Sequence, residues 1–262
     1  MIRLAVVLVL LLAGSPARAF DPFREAGIDQ RPGAAIPLDL SFRDEAGRPA
    51  TLRALAAGRP ILLVPVLHDC PNICGVTLSG LMQAVRAQPF VPGRDFALVA
   101  FGIDPREGPA AAEASLATLR RAFPRVAPDG IHAVTGDAAA IAAVTDALGY
   151  RYGWDEAIGQ YAHIAATAVI TPQGRLARWL YGLAPAAQDV RLALTEAGDG
   201  QLGNWTDQIL LLCYHYDPTS GRYNSLVWTA LRIGGGLTVA LVAGSILFAA
   251  GRERRAPKDR GS

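Results

Sequence analysis

Apolar strands alternate with amphipathic helices through the middle of the chain. Residues 61–66 and 96–103 are continuous apolar runs of strand length, a pattern typical of strands that are buried on both faces. Each run is followed by apolar residues at helical spacing, over residues 76–85 and 109–123. A third strand at 131–135 leads into another helix. This alternation predicts an α/β fold in which helices cover a sheet.

Hairpins are predicted at both ends of this series. Residues 36–42 alternate between apolar and polar positions, and after a turn the chain returns as a strand that begins at 50–52. A second pair of strands, at 165–170 and 176–181, is joined by a Thr-Pro-Gln-Gly turn, and a helix at 185–197 ends the series. We therefore expect a central mixed sheet flanked by helices, with an N-terminal hairpin.

The start of the chain has the pattern of a signal peptide. A charged N-terminus is followed by an apolar core at 4–14 and by Ala17-Arg18-Ala19, a small-x-small cleavage site. The apolar core is short for a bilayer span, and an uncleaved anchor is the alternative. Export would place the protein in an oxidising compartment, where thiol pairs tend to form disulfides.

A second hydrophobic segment predicts a C-terminal transmembrane helix at residues 226–250. Residues 233–250 contain no charged side chain, and about 20 apolar residues are enough to span a bilayer. The basic tail at 251–262 places the C-terminus in the cytoplasm by the positive-inside rule. We therefore expect an inner-membrane protein with its functional domain in the periplasm; a buried core helix is the alternative.

These patterns divide the chain into six segments and exclude some functions. The segments are a signal peptide at 1–19, a lead-in at 20–35, a folded domain at 36–198, a juxtamembrane segment at 199–225, a transmembrane helix at 226–250 and a basic tail at 251–262. The formal charge is only +2 and no basic stripe is interleaved with aromatic residues, so we expect no nucleic-acid partner. Three cysteines are too few for a disulfide scaffold.

Two of the cysteines lie where a predicted strand leads into a predicted helix. Cys70 and Cys74 follow the strand at 61–66 and precede the helix at 76–85. Amide groups at the start of a helix stabilise thiolate over thiol, which favours both nucleophilic and metal-binding behaviour. The spacing allows the pair to close as a disulfide or to stay open around a soft metal ion. The pair therefore predicts a redox or metal site.

The chain resembles the Sco/SenC family in the order and spacing of three motifs. These are Cys70-x-x-x-Cys74 after a buried strand, residues 102–106 after the next strand, and His163 before a Pro-Gln-Gly hairpin. The resemblance covers residues 35–197. It implies a thioredoxin-like fold and a membrane-tethered copper protein that helps to assemble the binuclear copper (CuA) site of cytochrome c oxidase.

The resemblance implies that Cys70, Cys74 and His163 bind one copper ion. Two thiolates suit Cu(I), and one imidazole completes a three-coordinate site that can also hold Cu(II). Zinc is the competing metal, although structural zinc sites usually have four protein ligands. A purely structural disulfide between the two cysteines is a further alternative.

The chain also departs from the family pattern. Gly75 follows the second cysteine where the family commonly has proline, and Ala162 precedes His163 where it often has an acidic residue. The strand before the cysteines lacks the usual aromatic residues. The three ligands are retained, whereas a source of hydrogen-bonding support for His163 is missing.

Other polar residues near these motifs have open roles. His68 has three candidate roles: it tunes the pKa of Cys70, it binds metal transiently, or it is a solvated loop residue. We favour the last of these. Asp104 is expected to shape the loop after its strand. Cys213 and His215 are candidate auxiliary copper ligands. Alternatively, Cys213 is a partner thiol for Cys70 or Cys74, or an unpaired cysteine shielded at the lipid interface.

The sequence thus predicts a periplasmic, membrane-anchored copper chaperone that delivers copper to the CuA site. Its expected partner is the copper-bearing subunit of cytochrome c oxidase, and a thioredoxin-like reductant of the dithiol is a second candidate. One alternative is an enzyme, a thiol-disulfide reductase that keeps the cysteines of that subunit reduced and needs only Cys70 and Cys74. Another is a redox or copper sensor.

Overall fold

A computed structural model describes residues 25–69, 74–156, 159–198, 214–217, 222–225 and 232–245. The helices in this part of the chain are α1 (Leu52–Ala56), α2 (Cys74–Arg86), α3 (Pro109–Ala122), α4 (Ala138–Leu148), α5 (Ala187–Ala197) and α6 (232–245), with a 3-10 turn at Pro128–Gly130. The strands are β1 (Gly27–Ile28), β2 (Phe42–Asp44), β3 (Pro49–Ala50), β4 (Ile61–Val66), β5 (Ala97–Gly102), β6 (Ile131–Thr135), β7 (Tyr150–Arg151), β8 (Gly153–Asp155), β9 (Gln160–Ala162), β10 (Ala166–Ile170), β11 (Leu176–Tyr181), β12 (Tyr214–Asp217) and β13 (Arg222–Ser225). The predicted signal peptide at 1–19 and basic tail at 251–262 lie outside the described residues.

Seven of the described strands form one mixed sheet. Their order is β11-β10-β4-β5-β6-β2-β3. β4, β5 and β6 run parallel, and the pairings at both flanks, β4 with β10 and β6 with β2, are antiparallel. Every residue of β4 and β5 is buried, as their continuous apolar runs predict. The predicted α/β architecture with a mixed sheet and an N-terminal hairpin is confirmed.

The helices complete the core around this sheet. α3 contacts β6, α5 contacts β10 and β11, and α2 contacts both α3 and α5. Leu81 of α2, Leu116 of α3 and Leu192 of α5 are all at most 2% exposed. Burial of a leucine side chain contributes about 1.5–3 kcal/mol, so these contacts hold α2 against α3 and α5.

The N-terminal hairpin is shorter than the sequence predicted. The strand expected at 36–42 begins only at Phe42, although Ile36 is still buried in irregular chain. The returning strand ends at Ala50, because the Thr51 side chain accepts a hydrogen bond from the amide of Ala54 and caps α1. The apolar alternation therefore indicated burial correctly, and the strand assignments at 36–41 and 51–52 were wrong.

Two short strand pairs were not predicted, and both lie next to the candidate site. β1 from the lead-in pairs with β7, and β8 pairs with β9 in the chain before His163. Gly149 ends α4 in the left-handed conformation with φ 69°, and its carbonyl accepts a hydrogen bond from the Asp29 amide at 2.8 Å. Residues 27–29 of the lead-in are therefore packed into the folded domain.

Among the helices that the structure describes, none combines the length and the apolar character needed to span a bilayer. α6 covers residues 232–245 of the predicted span at 226–250, and its side chains Ile233, Leu237 and Leu241 are exposed. The transmembrane helix stays a prediction.

Gly80 offers a test of how closely α2 packs against the chain between β11 and α5. A Cβ atom at Gly80 would lie 2.2 Å from the carbonyl oxygen of Leu183. Although alanine favours a helix over glycine by about 1 kcal/mol, we expect overpacking in Gly80→Ala to outweigh this gain and to lower the free energy of unfolding by about 1–2 kcal/mol. Urea denaturation of the full-length protein measures the change.

Gly75→Ala is the matched control in the same helix. No described atom lies within 4 Å of a Cβ atom at Gly75, so this variant should keep or slightly raise the free energy of unfolding. Equal stability changes in the two variants would contradict the close contact at Gly80.

Candidate metal centre

The predicted dithiol lies between the end of β4 and the start of α2. β4 ends at Val66 and α2 begins at Cys74, which confirms the expected position between a buried strand and a helix. Cys70 lies outside the described residues, and Cys74 is described by its backbone alone. A site formed by the two sulfurs stays a prediction.

His163 lies at the end of the sheet where β4 leads into residues 67–74, the segment that contains Cys70 and Cys74 (the dithiol segment). β10 runs antiparallel to β4, with Ala168 opposite Leu63. The chain that leads into β10 therefore emerges at the carboxyl end of β4, and it contains His163 three residues before the strand begins. The sheet therefore brings His163 to the edge at which β4 leads toward the predicted dithiol.

A tyrosine that the sequence analysis missed contacts the His163 ring. The hydroxyl of Tyr150 lies 3.0 Å from Nδ1 of His163 and donates a hydrogen bond to the carbonyl oxygen of Ile164 at 2.7 Å. Burial lowers the pKa of His163, so the ring is neutral at pH 7, which is the form that binds metals. Tyr150 therefore occupies the supporting role that Ala162 leaves open.

His68 is buried, and the expectation that it is a solvated loop residue is wrong. Its exposed fraction is 8%, and its Nε2 atom lies 3.0 Å from the carbonyl oxygen of Val134 on β6. The ring packs against Gly102 of β5, where a Cβ atom would come within 2.9 Å of it. Burial lowers the pKa of His68. The ring therefore holds the chain just before Cys70 against the ends of β5 and β6.

Glu107 binds the backbone of the segment that precedes Cys70. One carboxylate oxygen accepts the amide of His68 at 2.9 Å and the other accepts the amide of Asp69 at 2.8 Å. Hydrogen bonds to an ionised acceptor are stronger than neutral ones. The sequence analysis missed Glu107, for which the only signal was its position in the loop after β5. This carboxylate holds the main chain that leads to the dithiol.

The same loop also contacts the β8–β9 hairpin that precedes His163. Asp104 accepts a hydrogen bond from the amide of Arg106 at 2.9 Å and pairs with its guanidinium, which holds the pKa of Asp104 below its usual range. The guanidinium lies 4.0 Å from the centre of the Trp154 ring, and that ring packs edge-on against Tyr161. The expected loop-shaping role of Asp104 is confirmed. One loop therefore contacts both halves of the candidate site.

The described residues do not place the side chains of the auxiliary candidates. Cys213 lies outside the described residues, and His215 is described only by its backbone, which pairs with Asn224 in the β12–β13 hairpin. Within the described ranges, no group of three or more His, Cys, Asp or Glu side chains could hold a metal ion. The side chains of Cys70 and Cys74 lie outside these ranges.

Comparison with known proteins assigns the chain to a family. The SCO1/SenC family model matches residues 29–193, which is more than half of the chain. The chain belongs to the SCO1/SenC family. None of the curated proteins compared with this SCO1/SenC protein matches it.

Solved structures share the fold of this SCO1/SenC protein. A candidate electron transfer protein from Aquifex aeolicus VF5 superposes with a TM-score of 0.57 at 20% identity, covering 66% of this chain and 97% of that chain. A SCO1/SenC family lipoprotein from Bacillus anthracis str. Ames superposes with a TM-score of 0.50 at 15% identity, covering 65% of this chain and 97% of that chain. Together with the family match, this likeness confirms the predicted thioredoxin-like fold.

Removal of the Glu107 carboxylate tests its contact with the dithiol segment. Glu107→Ala leaves the amides of His68 and Asp69 without their acceptor, and an unsatisfied donor costs about 1–3 kcal/mol when buried. We expect a loss of stability of that order in urea denaturation. We also expect faster hydrogen exchange of these two amides by NMR.

Glu113→Ala, at an exposed position of α3, is the control and should change the stability by less than about 0.5 kcal/mol. Unchanged exchange of the amides of His68 and Asp69 in Glu107→Ala would show that the carboxylate does not hold them.

Proposed function

We propose that this SCO1/SenC protein is a membrane-anchored periplasmic copper chaperone that delivers copper to the CuA site during assembly of cytochrome c oxidase. The observation that carries the proposal is the pairing of β10 with β4, which brings His163 to the edge of the sheet where β4 leads toward Cys70 and Cys74. Membership of the SCO1/SenC family supports a role in copper handling.

The residues expected at this edge fit copper. Thiolates are soft ligands that suit Cu(I), and an imidazole suits both oxidation states. The His163 ring is neutral at pH 7 because burial lowers its pKa, so it binds without first losing a proton. Three protein ligands are fewer than the four of a structural zinc site. Such a site leaves copper accessible to the ligands of an acceptor.

Each residue has a distinct role in transfer. Cys70 and Cys74 bind copper as thiolates after a thioredoxin-like reductant has opened any disulfide between them, with two electrons and two protons forming two thiols. His163 supplies the third ligand. The copper-bearing subunit of the oxidase then takes the ion by exchanging its own ligands for these three, one at a time.

The C-terminal segment supports membrane anchoring. Residues 233–250 carry no charge and precede the basic tail at 251–262. Within the described part of this segment, α6 exposes Leu237 and Leu241 rather than packing them into the domain. An anchor of this kind would hold the domain at the membrane in which the oxidase is assembled.

His163→Ala separates the chaperone from a thiol-disulfide reductase. We expect the variant to lose stable copper binding, because only the two thiolates remain as ligands. The rate of dithiol exchange with a small disulfide should be preserved, because attack through a mixed disulfide needs only Cys70 and Cys74. Copper content of the purified full-length protein and the exchange rate are measured side by side.

His132→Ala is the matched control for this test. His132 is a partly buried histidine on β6 whose pKa is lowered by burial, as that of His163 is. The control should bind copper like the wild type. Copper binding of wild-type stoichiometry and affinity in His163→Ala would contradict the chaperone proposal and favour the reductase.

A further inference from the structure

We propose that Tyr150 is a positioning residue that fixes the tautomer of His163 and so makes Nε2 the metal-binding nitrogen. This inference rests on the proposed function in one respect, namely that His163 is a copper ligand. The assignment of the tautomer itself rests only on hydrogen-bond geometry.

The tautomer follows from counting protons around the Tyr150 hydroxyl. The hydroxyl has one proton, which it donates to the carbonyl oxygen of Ile164 at 2.7 Å, since a carbonyl can only accept. In the 3.0 Å hydrogen bond between the same hydroxyl and Nδ1 of His163, the ring must therefore be the donor and the hydroxyl oxygen the acceptor. A neutral imidazole has a single N–H group. That group is therefore Nδ1–H, and the lone pair lies on Nε2.

A second acceptor reinforces this assignment. The carbonyl oxygen of Ile164 lies 3.4 Å from Nδ1 of His163. Two oxygens with electron pairs, the Tyr150 hydroxyl and this carbonyl, therefore face the same ring nitrogen. A lone pair on Nδ1 would be repelled by both, so the protonated form of Nδ1 is favoured.

The core fixes the position of the Tyr150 hydroxyl. Tyr150 is 2% exposed, and its ring stacks on Trp179 with a centroid distance of 5.7 Å and an interplanar angle of 20°. Its backbone pairs with Ile28 and directly follows the left-handed Gly149. The hydroxyl is therefore in place before any metal binds. It orients the His163 ring without adding a charge.

Tyr150→Phe removes this hydroxyl and keeps the stacked ring. Long-range proton–nitrogen NMR of full-length protein labelled with nitrogen-15 histidine, free of metal and at pH 8, reports which ring nitrogen carries the proton. We expect Nδ1–H for His163 in the wild type and a shift toward Nε2–H in the variant. Loss of such an orienting partner typically weakens metal binding by about 10–100-fold, and we expect a decrease of this size in copper affinity.

Tyr152→Phe is the matched control in the same aromatic group. Its ring lies 6.1 Å from that of Tyr150. The control also removes one hydroxyl from an aromatic ring, and we expect it to leave the His163 tautomer and the copper affinity unchanged.

The outcomes separate this inference from the proposed function. An Nε2–H tautomer of His163 in the wild type overturns the inference, and so do an unchanged tautomer and copper affinity in Tyr150→Phe. If the wild type shows Nδ1–H and Tyr150→Phe changes it, while His163→Ala binds copper as tightly as the wild type, the positioning role stands and the proposed function fails.

Discussion

The antiparallel pairing of β10 with β4 is the interaction on which the candidate site depends. Both strands are buried. Burial specifies the register of their pairing strongly, because a slip of one residue would move every side chain of a strand to the opposite face of the sheet. The core therefore determines that the chain after β4 and the chain before β10 emerge at one edge. The pairing stops at Leu63, two residues before Pro65, which has no N–H group to extend a ladder. The two chains can separate there, at the edge where the ligands are expected.

The loop after β5 connects the two halves of this edge. Glu107 holds the main chain that leads to the dithiol, and the neighbouring Arg106 lies over Trp154 in the hairpin that leads to His163. Because both contacts come from adjacent residues, a displacement of one half of the site is resisted by the other. Sites need this kind of support from residues that are themselves held in place. Tyr150, which is itself held in the core, provides it for the ring of His163.

The elements with a clear hydrophobic period were predictable, and the contacts between them were not. β4, β5, α3 and the position of the dithiol segment follow from apolar runs and helical spacing, whereas the early end of β3 depends on one hydrogen bond made by Thr51. Burial of His68 depends on the missing side chain of Gly102, which is distant in sequence. His163 was identified only through the family resemblance, because a single histidine carries no pattern. The role of Tyr150 required the folded chain.

X-ray absorption at the copper edge, recorded on copper-loaded full-length protein, tests the central claim most directly. If the β4–β10 register assembles the site, the nearest shell contains two sulfur atoms and one imidazole nitrogen. A copper shell with no imidazole nitrogen, or with fewer than two sulfur atoms, would contradict the account.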